Sequence, residues 1–122
     1  MANAISWFEI PVEDMDRAVS FYSTVLGIRL EKGDMMGTPY TFFPADQSGV
    51  GGALVQSDNA KPSMNGALVY LTAGDDLSIS LAKIETAGGR VIVPKTDLGS
   101  GMGYFALFQD SEGNRVGLYS MH

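Results

Sequence analysis

The stretch Phe8–Leu30, FEIPVEDMDRAVSFYSTVLGIRL, has a second copy at Tyr70–Ile92, YLTAGDDLSISLAKIETAGGRVI. Each copy begins with a run of β-branched and aromatic residues, passes an aspartate and then changes to helical periodicity. An internal repeat fixes the arrangement in which all other motifs must lie. This pair of segments therefore decides the fold of the chain.

The helical part of each copy has one apolar face and a residue suited to capping each end. In the first copy Met15, Val19 and Tyr22 share a face. Asp14 is the predicted N-cap, and Gly27 is the predicted left-handed C-cap. The second copy has the same pattern, with Leu77, Leu81 and Ile84 on the apolar face. Asp76 is its predicted N-cap, and either Gly88 or Gly89 is its predicted C-cap.

The remainder of each half is also repeated. Residues 40–55, YTFFPADQSGVGGALV, resemble residues 104–119, YFALFQDSEGNRVGLY, and both patterns are typical of a β-hairpin. Each half is thus predicted to run strand, helix, strand, strand, strand, in the α+β class. We expect one domain over 1–122, with module 1 at about 4–57, a polar linker at 58–65 and module 2 at about 66–122.

Composition excludes several classes of protein. The 122 residues suffice for one packed core, and the lack of cysteine rules out disulfides and thiolate sites. A net charge of -6 with scattered basic residues argues against nucleic acid as a partner. No apolar run is long enough for a bilayer and no signal-peptide pattern opens the sequence, so we expect a cytoplasmic protein that does not bind membranes.

The segments PVEDMDRAVSFYSTVLGI and FALFQDSEGNRVGLYS resemble the vicinal oxygen chelate superfamily. This family includes glyoxalase I, extradiol dioxygenases, fosfomycin-resistance enzymes and bleomycin-resistance proteins. The resemblance extends over essentially the whole chain. It implies two βαβββ modules whose curved mixed sheets pair around a concave ligand cup, usually in a homodimer.

The resemblance also implies where a metal would bind, because metal-dependent members hold it with His, Glu or Gln from four strands. Those positions correspond here to Trp7, Ala53 or Val55, Val69 and Gly117. None of these side chains can ligate a metal ion, and a shift of one residue brings in no His or Glu. His122, the single histidine, lies at the chain end. We therefore predict no metal and no cofactor.

Strand alternation indicates which side chains would face the cup. Trp7 and Glu9 share one face of the first strand, and Gly117 is expected to leave space at the base of the pocket. Glu9 is a candidate general base, although an ion pair with Arg115 is the favoured interpretation. The predicted ligand-binding residues are Trp7, Glu9, Val69, Leu71, Arg115, Gly117 and Tyr119.

Two glycine-containing loops carry methionines. These are residues 33–39, GDMMGTP, and residues 98–103, LGSGMG. Either the flexible thioethers border the mouth of the cup, or these are ordinary turns whose methionines pack against the core.

The sequence favours a metal-free member of the family that binds a small organic molecule. One alternative is an enzyme of the glyoxalase or lyase type, in which Glu9 acts with Tyr119 or Arg115 to move a proton. Another is a dimeric interaction domain whose cup is filled by its own side chains. The resemblance fixes the scaffold and leaves these three functions open.

Overall fold

The computed structural model describes residues 3–122, which form eight strands and two helices. The first half contains β1 (Trp7–Pro11), α1 (Met15–Leu26), β2 (Gly33–Met35), β3 (Thr38–Phe43) and β4 (Gly51–Val55). The second half contains β5 (Tyr70–Thr72), α2 (Ser78–Leu81), β6 (Arg90–Asp97), β7 (Tyr104–Gln109) and β8 (Arg115–Ser120).

The strands form two four-stranded mixed sheets with the same topology. Sheet 1 has the order β1-β4-β3-β2, and sheet 2 has the order β5-β8-β7-β6. In each, the first strand pairs in parallel with the last, and the remaining pairs are antiparallel. The predicted α+β class, with two curved-sheet modules of the βαβββ type, is confirmed.

The two helices differ in length although their sequences match. In α1 the Asp14 side chain accepts the Arg17 amide at 3.1 Å, and Gly27 adopts a left-handed φ of 67°, as predicted. The second helix ends at Leu81, earlier than predicted, because bonds such as Lys83 N to Ser80 O tighten the chain into turns. No helix among residues 3–122 is long and apolar enough to cross a membrane.

The hydrophobic core lies where the helices meet one side of each sheet. Phe21 and Tyr22 of α1 pack against Phe108 of sheet 2, with ring centroids 5.9 and 6.5 Å apart. Tyr22 also packs against Phe43 of sheet 1. Because one helix contacts both sheets, the two halves share a single core.

A polar turn between β7 and β8 ties the second half to α1. Glu112 accepts hydrogen bonds from the amides of Glu13 and Asp14, both at 2.8 Å, and from Arg17 Nε at 2.7 Å. Asp110 accepts the buried Tyr22 hydroxyl at 2.6 Å. These bonds fix the start of α1, and with it the end of β1, against sheet 2.

Candidate functional site

Each sheet has one side on the core and one side turned away from it, which we call the open face. Residues paired across neighbouring strands project to the same side. In sheet 1, Phe8 and Ile10 contact the core, so Trp7 and Glu9 occupy the open face. Their partners on β4 are Gly51 and Ala53.

Three aromatic residues surround one carboxylate on the open face of sheet 1. Glu9 Oε2 accepts the Trp7 indole Nε1 at 3.2 Å and the Tyr40 hydroxyl at 3.1 Å. The Phe42 ring lies 5.9 Å from the Trp7 ring and 6.0 Å from the Tyr40 ring, between centroids. We call Trp7, Glu9, Tyr40 and Phe42 the Glu9 cluster.

The small residues of β4 allow this cluster to form. Trp7 and Phe42 lie on β1 and β3, which are separated by β4. Beneath them, Gly51 has no side chain, and Ala53 is fully buried although it faces away from the core cluster. A Cβ on Gly51 would lie 3.1 Å from Trp7 Cζ3. The two rings therefore meet over a strand that leaves room for them.

Hydrogen bonding ties Tyr40 to the exposed Glu9 carboxylate. The bond to Glu9 raises the pKa of the Tyr40 hydroxyl, because an anion beside it disfavours loss of the proton. The ion pair favoured from the sequence is wrong, since none of the ion pairs within residues 3–122 joins Glu9 to Arg115. Arg115 instead has a buried Nε without a partner in the described part of the chain.

On sheet 2 the structure corrects the predicted face of β5. Leu71 pairs with Leu118 in the core, and Val69 packs against the same core. Tyr70, which pairs with Gly117, occupies the open face instead. The assignment was wrong because the sequence repeat matched each residue of β1 with a residue of β5 that lies one position too late in the chain. A shift of one residue reverses the two faces of a strand.

Backbone hydrogen bonds show that corrected alignment. Val12 N donates to Val55 O, and Ala73 N donates to Tyr119 O in the same position of the second half. Val12 therefore corresponds to Ala73, which makes Leu68, and not Val69, the counterpart of Trp7. The predicted equivalence of Ala53 and Gly117 fits the same alignment, since Val55 then corresponds to Tyr119.

Gly117 does not leave an empty space at the base of a pocket. The Tyr70 ring lies across it, so a Cβ on Gly117 would lie 2.6 Å from Tyr70 Cε2. Tyr70 also reaches Phe105, at 6.3 Å between ring centroids. The expected space is thus filled by an aromatic side chain of the same chain.

Tyr119 and Arg115 lie on the last strand, on the same face as Gly117. The Tyr119 hydroxyl donates to Met102 O at 2.6 Å, which anchors the loop between β6 and β7. The Tyr119 hydroxyl is therefore already bonded within the second half of the chain.

The residues at the family's metal positions do not fit a metal ion. Trp7, Ala53, Leu68 and Gly117 offer no carboxylate or imidazole. A glutamate at position 117 would also collide with the Tyr70 ring. Among residues 3–122, no three His, Cys, Asp or Glu side chains gather closely enough to hold a metal.

The methionines of the two loops point away from the core. Met35 and Met102 are exposed, and Met36 is 99% exposed, so the alternative that these methionines pack against the core is wrong. Met36 and Ser100 both have positive φ, 56° and 55°. That these loops border a ligand site stays a prediction.

Two cavities lie between the two halves of the chain. One of about 880 Å³ separates β5 from the first half and has an apolar lining that includes Phe8, Phe43, Val69 and Leu71. A smaller one of about 220 Å³ is lined by Glu9, Val69 and Arg115, among others. The larger cavity has the volume of a ligand pocket but does not contain the Glu9 cluster, where the polar groups converge.

Sequence reasoning missed Tyr40, Phe42 and Tyr70 as open-face residues. The first two could have been found, because alternation along Thr38–Phe43 places Tyr40 and Phe42 on one side. Their approach to Glu9 depends on strand order, which places β4 and not β3 next to β1. Tyr70 depends on the alignment of β5.

Comparisons with known proteins agree with this architecture. Residues 4–118 match a family model described as "Glyoxalase/Bleomycin resistance protein/Dioxygenase superfamily". A "Glyoxylase-like domain-containing protein" from Didymella fabae is 29% identical over 113 residues, covering 90% of this chain and 88% of that protein.

Solved structures with low sequence identity share the fold. A glyoxalase I mutant from Zea mays superposes with a TM-score of 0.71 at 20% identity, covering 94% of this chain and 45% of that one. A glyoxalase/bleomycin resistance protein from Albidiferax ferrireducens gives 0.67 at 16% identity, covering 97% and 98% of the two chains. The fosfomycin resistance protein FosX from Listeria monocytogenes gives 0.65 at 15% identity, covering 98% and 92%.

Proposed function

The chain belongs to the glyoxalase/bleomycin resistance protein/dioxygenase superfamily, and from this membership we propose that it binds a small organic molecule on the open face of sheet 1 without a metal ion. The observation that carries the proposal is the Glu9 cluster, in which the exposed Trp7 and Phe42 rings and the half-buried Tyr40 lie beside one carboxylate. Aromatic walls with few polar groups are typical of small-molecule sites.

The donor set supports the metal-free part of the proposal. The family's metal positions carry Trp7, Ala53, Leu68 and Gly117, and the Tyr70 ring covers the last of these. Aromatic, aliphatic and glycine residues cannot replace the carboxylate and imidazole donors that zinc, nickel or iron need.

Metal analysis and ligand titration together test the proposal. Trp7 is the single tryptophan of the chain, so its fluorescence and indole NMR signal report directly on the Glu9 cluster. We expect purified protein to retain no stoichiometric metal after dialysis, and at least one member of a panel of neutral aromatic alcohols to perturb Trp7 saturably. Bound zinc, nickel or iron with ligands from the open faces would overturn the metal-free proposal. If no ligand changes the Trp7 signal, the alternative of an interaction domain would be favoured instead.

The hydrogen bond between Tyr40 and Glu9 favours a second candidate, an acid–base enzyme of the glyoxalase or lyase type. Both hydrogen bonds to the carboxylate use Oε2, which leaves Oε1 to take a proton from a substrate. Tyr40 takes the place expected for Tyr119, whose hydroxyl is bonded to Met102. Turnover of oxoaldehyde–thiol adducts or catechols that disappears in Glu9→Gln would support this candidate, and equal activity in both proteins would exclude it.

We also propose that the protein forms a homodimer through the open face of sheet 2, which leaves the Glu9 cluster of sheet 1 accessible to a ligand. Tyr70 exposes a large apolar side chain on that face, at 48% of its surface. Burying this ring against a second copy would stabilise association. Sedimentation equilibrium tests this proposal, and a monomer at high protein concentration would contradict it.

A further inference from the structure

We infer that the Glu9 cluster recognises an organic cation, such as a quaternary ammonium group, and this inference rests on the proposed function of the same open face. It concerns the charge of the ligand, which neither the fold nor the family membership specifies. The geometry of the carboxylate, the identity of the surrounding rings and the charge of the sheet all favour it.

The hydrogen bonds to Glu9 hold the carboxylate by one oxygen, Oε2, and leave the other oxygen, Oε1, available to a ligand. Trp7 Nε1 and Tyr40 OH both donate to Glu9 Oε2, at 3.2 and 3.1 Å. Two donors on one oxygen fix the orientation of the side chain. Glu9 is exposed, so its charge remains accessible to a positively charged group.

The three rings add a second attraction for positive charge. Tryptophan, tyrosine and phenylalanine carry electron-rich faces that attract cations within about 6 Å of the ring centroid. In the Glu9 cluster, Phe42 contacts both other rings, so the three form one continuous aromatic surface beside the carboxylate. A bulky ammonium group could contact a ring face and the carboxylate together.

The charge distribution disfavours an anionic ligand at this face. None of the four strands of sheet 1 contains a lysine or an arginine. The whole chain carries a net charge of -6, which raises the local concentration of cations. Lys61 and Arg115 share the cavity of about 220 Å³ with Glu9, but neither lies on a strand of sheet 1. An anion bound over the aromatic rings of sheet 1 would therefore meet Glu9 with no basic side chain of that sheet to offset the repulsion.

A matched pair of probes tests the inference. Choline carries a trimethylammonium group, and in neohexyl alcohol an uncharged tert-butyl group of the same shape replaces it. Each is titrated against the full chain while the Trp7 indole signal is followed. We expect choline to bind about tenfold more tightly than neohexyl alcohol. In Glu9→Gln this preference should shrink to about twofold or less.

Glu85→Gln provides the matched control, because it changes the net charge equally at an exposed residue after α2. This variant should keep the full preference for choline. If neohexyl alcohol or a neutral aromatic alcohol perturbs Trp7 and choline binds no better, the cation inference is overturned while the proposed function stands. If no probe of any charge perturbs Trp7, both are overturned.

Discussion

The rings of Tyr70 and Phe105 lie 6.3 Å apart, between centroids, although their strands do not pair with each other. They meet across β8 because Gly117 has no side chain. Sheet 1 repeats this arrangement with Trp7 and Phe42 across β4. In both halves, small residues on the last strand allow aromatic residues from its two neighbours to make contact.

Gly117→Ala should therefore destabilise the protein by about 1 to 2 kcal/mol, because the new methyl group displaces the Tyr70 ring. In a Tyr70→Ala background the same change should stabilise the strand by about 0.5 to 1 kcal/mol, since alanine loses less backbone entropy than glycine on folding. Chemical denaturation of the four proteins measures this double-mutant cycle.

Gly66→Ala is the control for that cycle, because a Cβ at Gly66 would meet no atom within 4 Å. It should change the free energy of unfolding by less than about 0.5 kcal/mol. An equal cost for Gly117→Ala with and without Tyr70 would show that the ring is not what requires glycine.

Charged quenchers should reveal the field of Glu9 at Trp7. The carboxylate lies 3.2 Å from the indole nitrogen, so caesium should quench Trp7 fluorescence more strongly than iodide once both are normalised to free tryptophan. Glu9→Gln should reduce this difference, and added salt should screen it. Equal quenching by both ions in the wild-type protein would contradict the accessible charge.

Glu112→Gln should cost about 2 to 3 kcal/mol of unfolding free energy. The carboxylate is buried and accepts two backbone amides, Arg17 and the Ser111 hydroxyl, and glutamine cannot satisfy all of these donors. Glu31→Gln serves as control, because its ion pair with Arg29 is long, at 3.8 Å, and exposed at both ends. A comparable loss in both variants would argue against a special role for Glu112.

The free energy of unfolding should fall in acid, and the lowered pKa values of two carboxylates, Asp76 and Glu112, indicate the pH range. Hydrogen bonds from the Ser78 amide and from Lys95 lower the pKa of Asp76 to about 2. Burial would raise the pKa of Glu112, but hydrogen bonds from Arg17, the Asp14 amide and Ser111 outweigh it and lower the pKa.

Because both pKa values are lower in the folded state, the stability they contribute is complete above the ordinary carboxylate pKa of about 4. It is lost as the pH falls through the folded values, toward about 2 for Asp76. Urea denaturation across this range should show a shallower acid decline in Asp76→Asn. An unchanged slope would remove Asp76 from the acid response.

Met36→Asn should stabilise the protein by about 0.5 to 1 kcal/mol. Met36 and Gly37 both have positive φ, 56° and 84°, in the two-residue turn between β2 and β3. Asparagine adopts this conformation with less strain than methionine. Met35→Asn, one residue earlier within β2, should give no such gain in thermal denaturation, and an equal gain there would refute the explanation.

Local sequence was enough to predict α1 and its ends. The Asp14 side chain caps the first turn, and Gly27 closes the helix in the left-handed region. Both effects act within a few residues, so the pattern could reveal them. The second helix is shorter than its pattern suggested, because the turns after Leu81 depend on how the chain enters β6.

The candidate site could be predicted only in part. Alternation placed Trp7 and Glu9 together on the open face of β1, and it placed Gly117 with Tyr119 on β8. It failed on β5, where an error of one residue exchanged Tyr70 for Leu71. A repeat found by matching helices carries no information about the number of residues between strand and helix, and a strand's faces depend on that number.

The sequence by itself determined the fold class and its two modules, because these depend on residue types and local periodicity. Only the tertiary structure decided that Tyr70 fills the space over Gly117 and that Tyr40 and Trp7 bind the same oxygen of Glu9. Those contacts join residues from strands far apart in sequence. Their existence depends on strand order and register, which are set by the packing of the whole core.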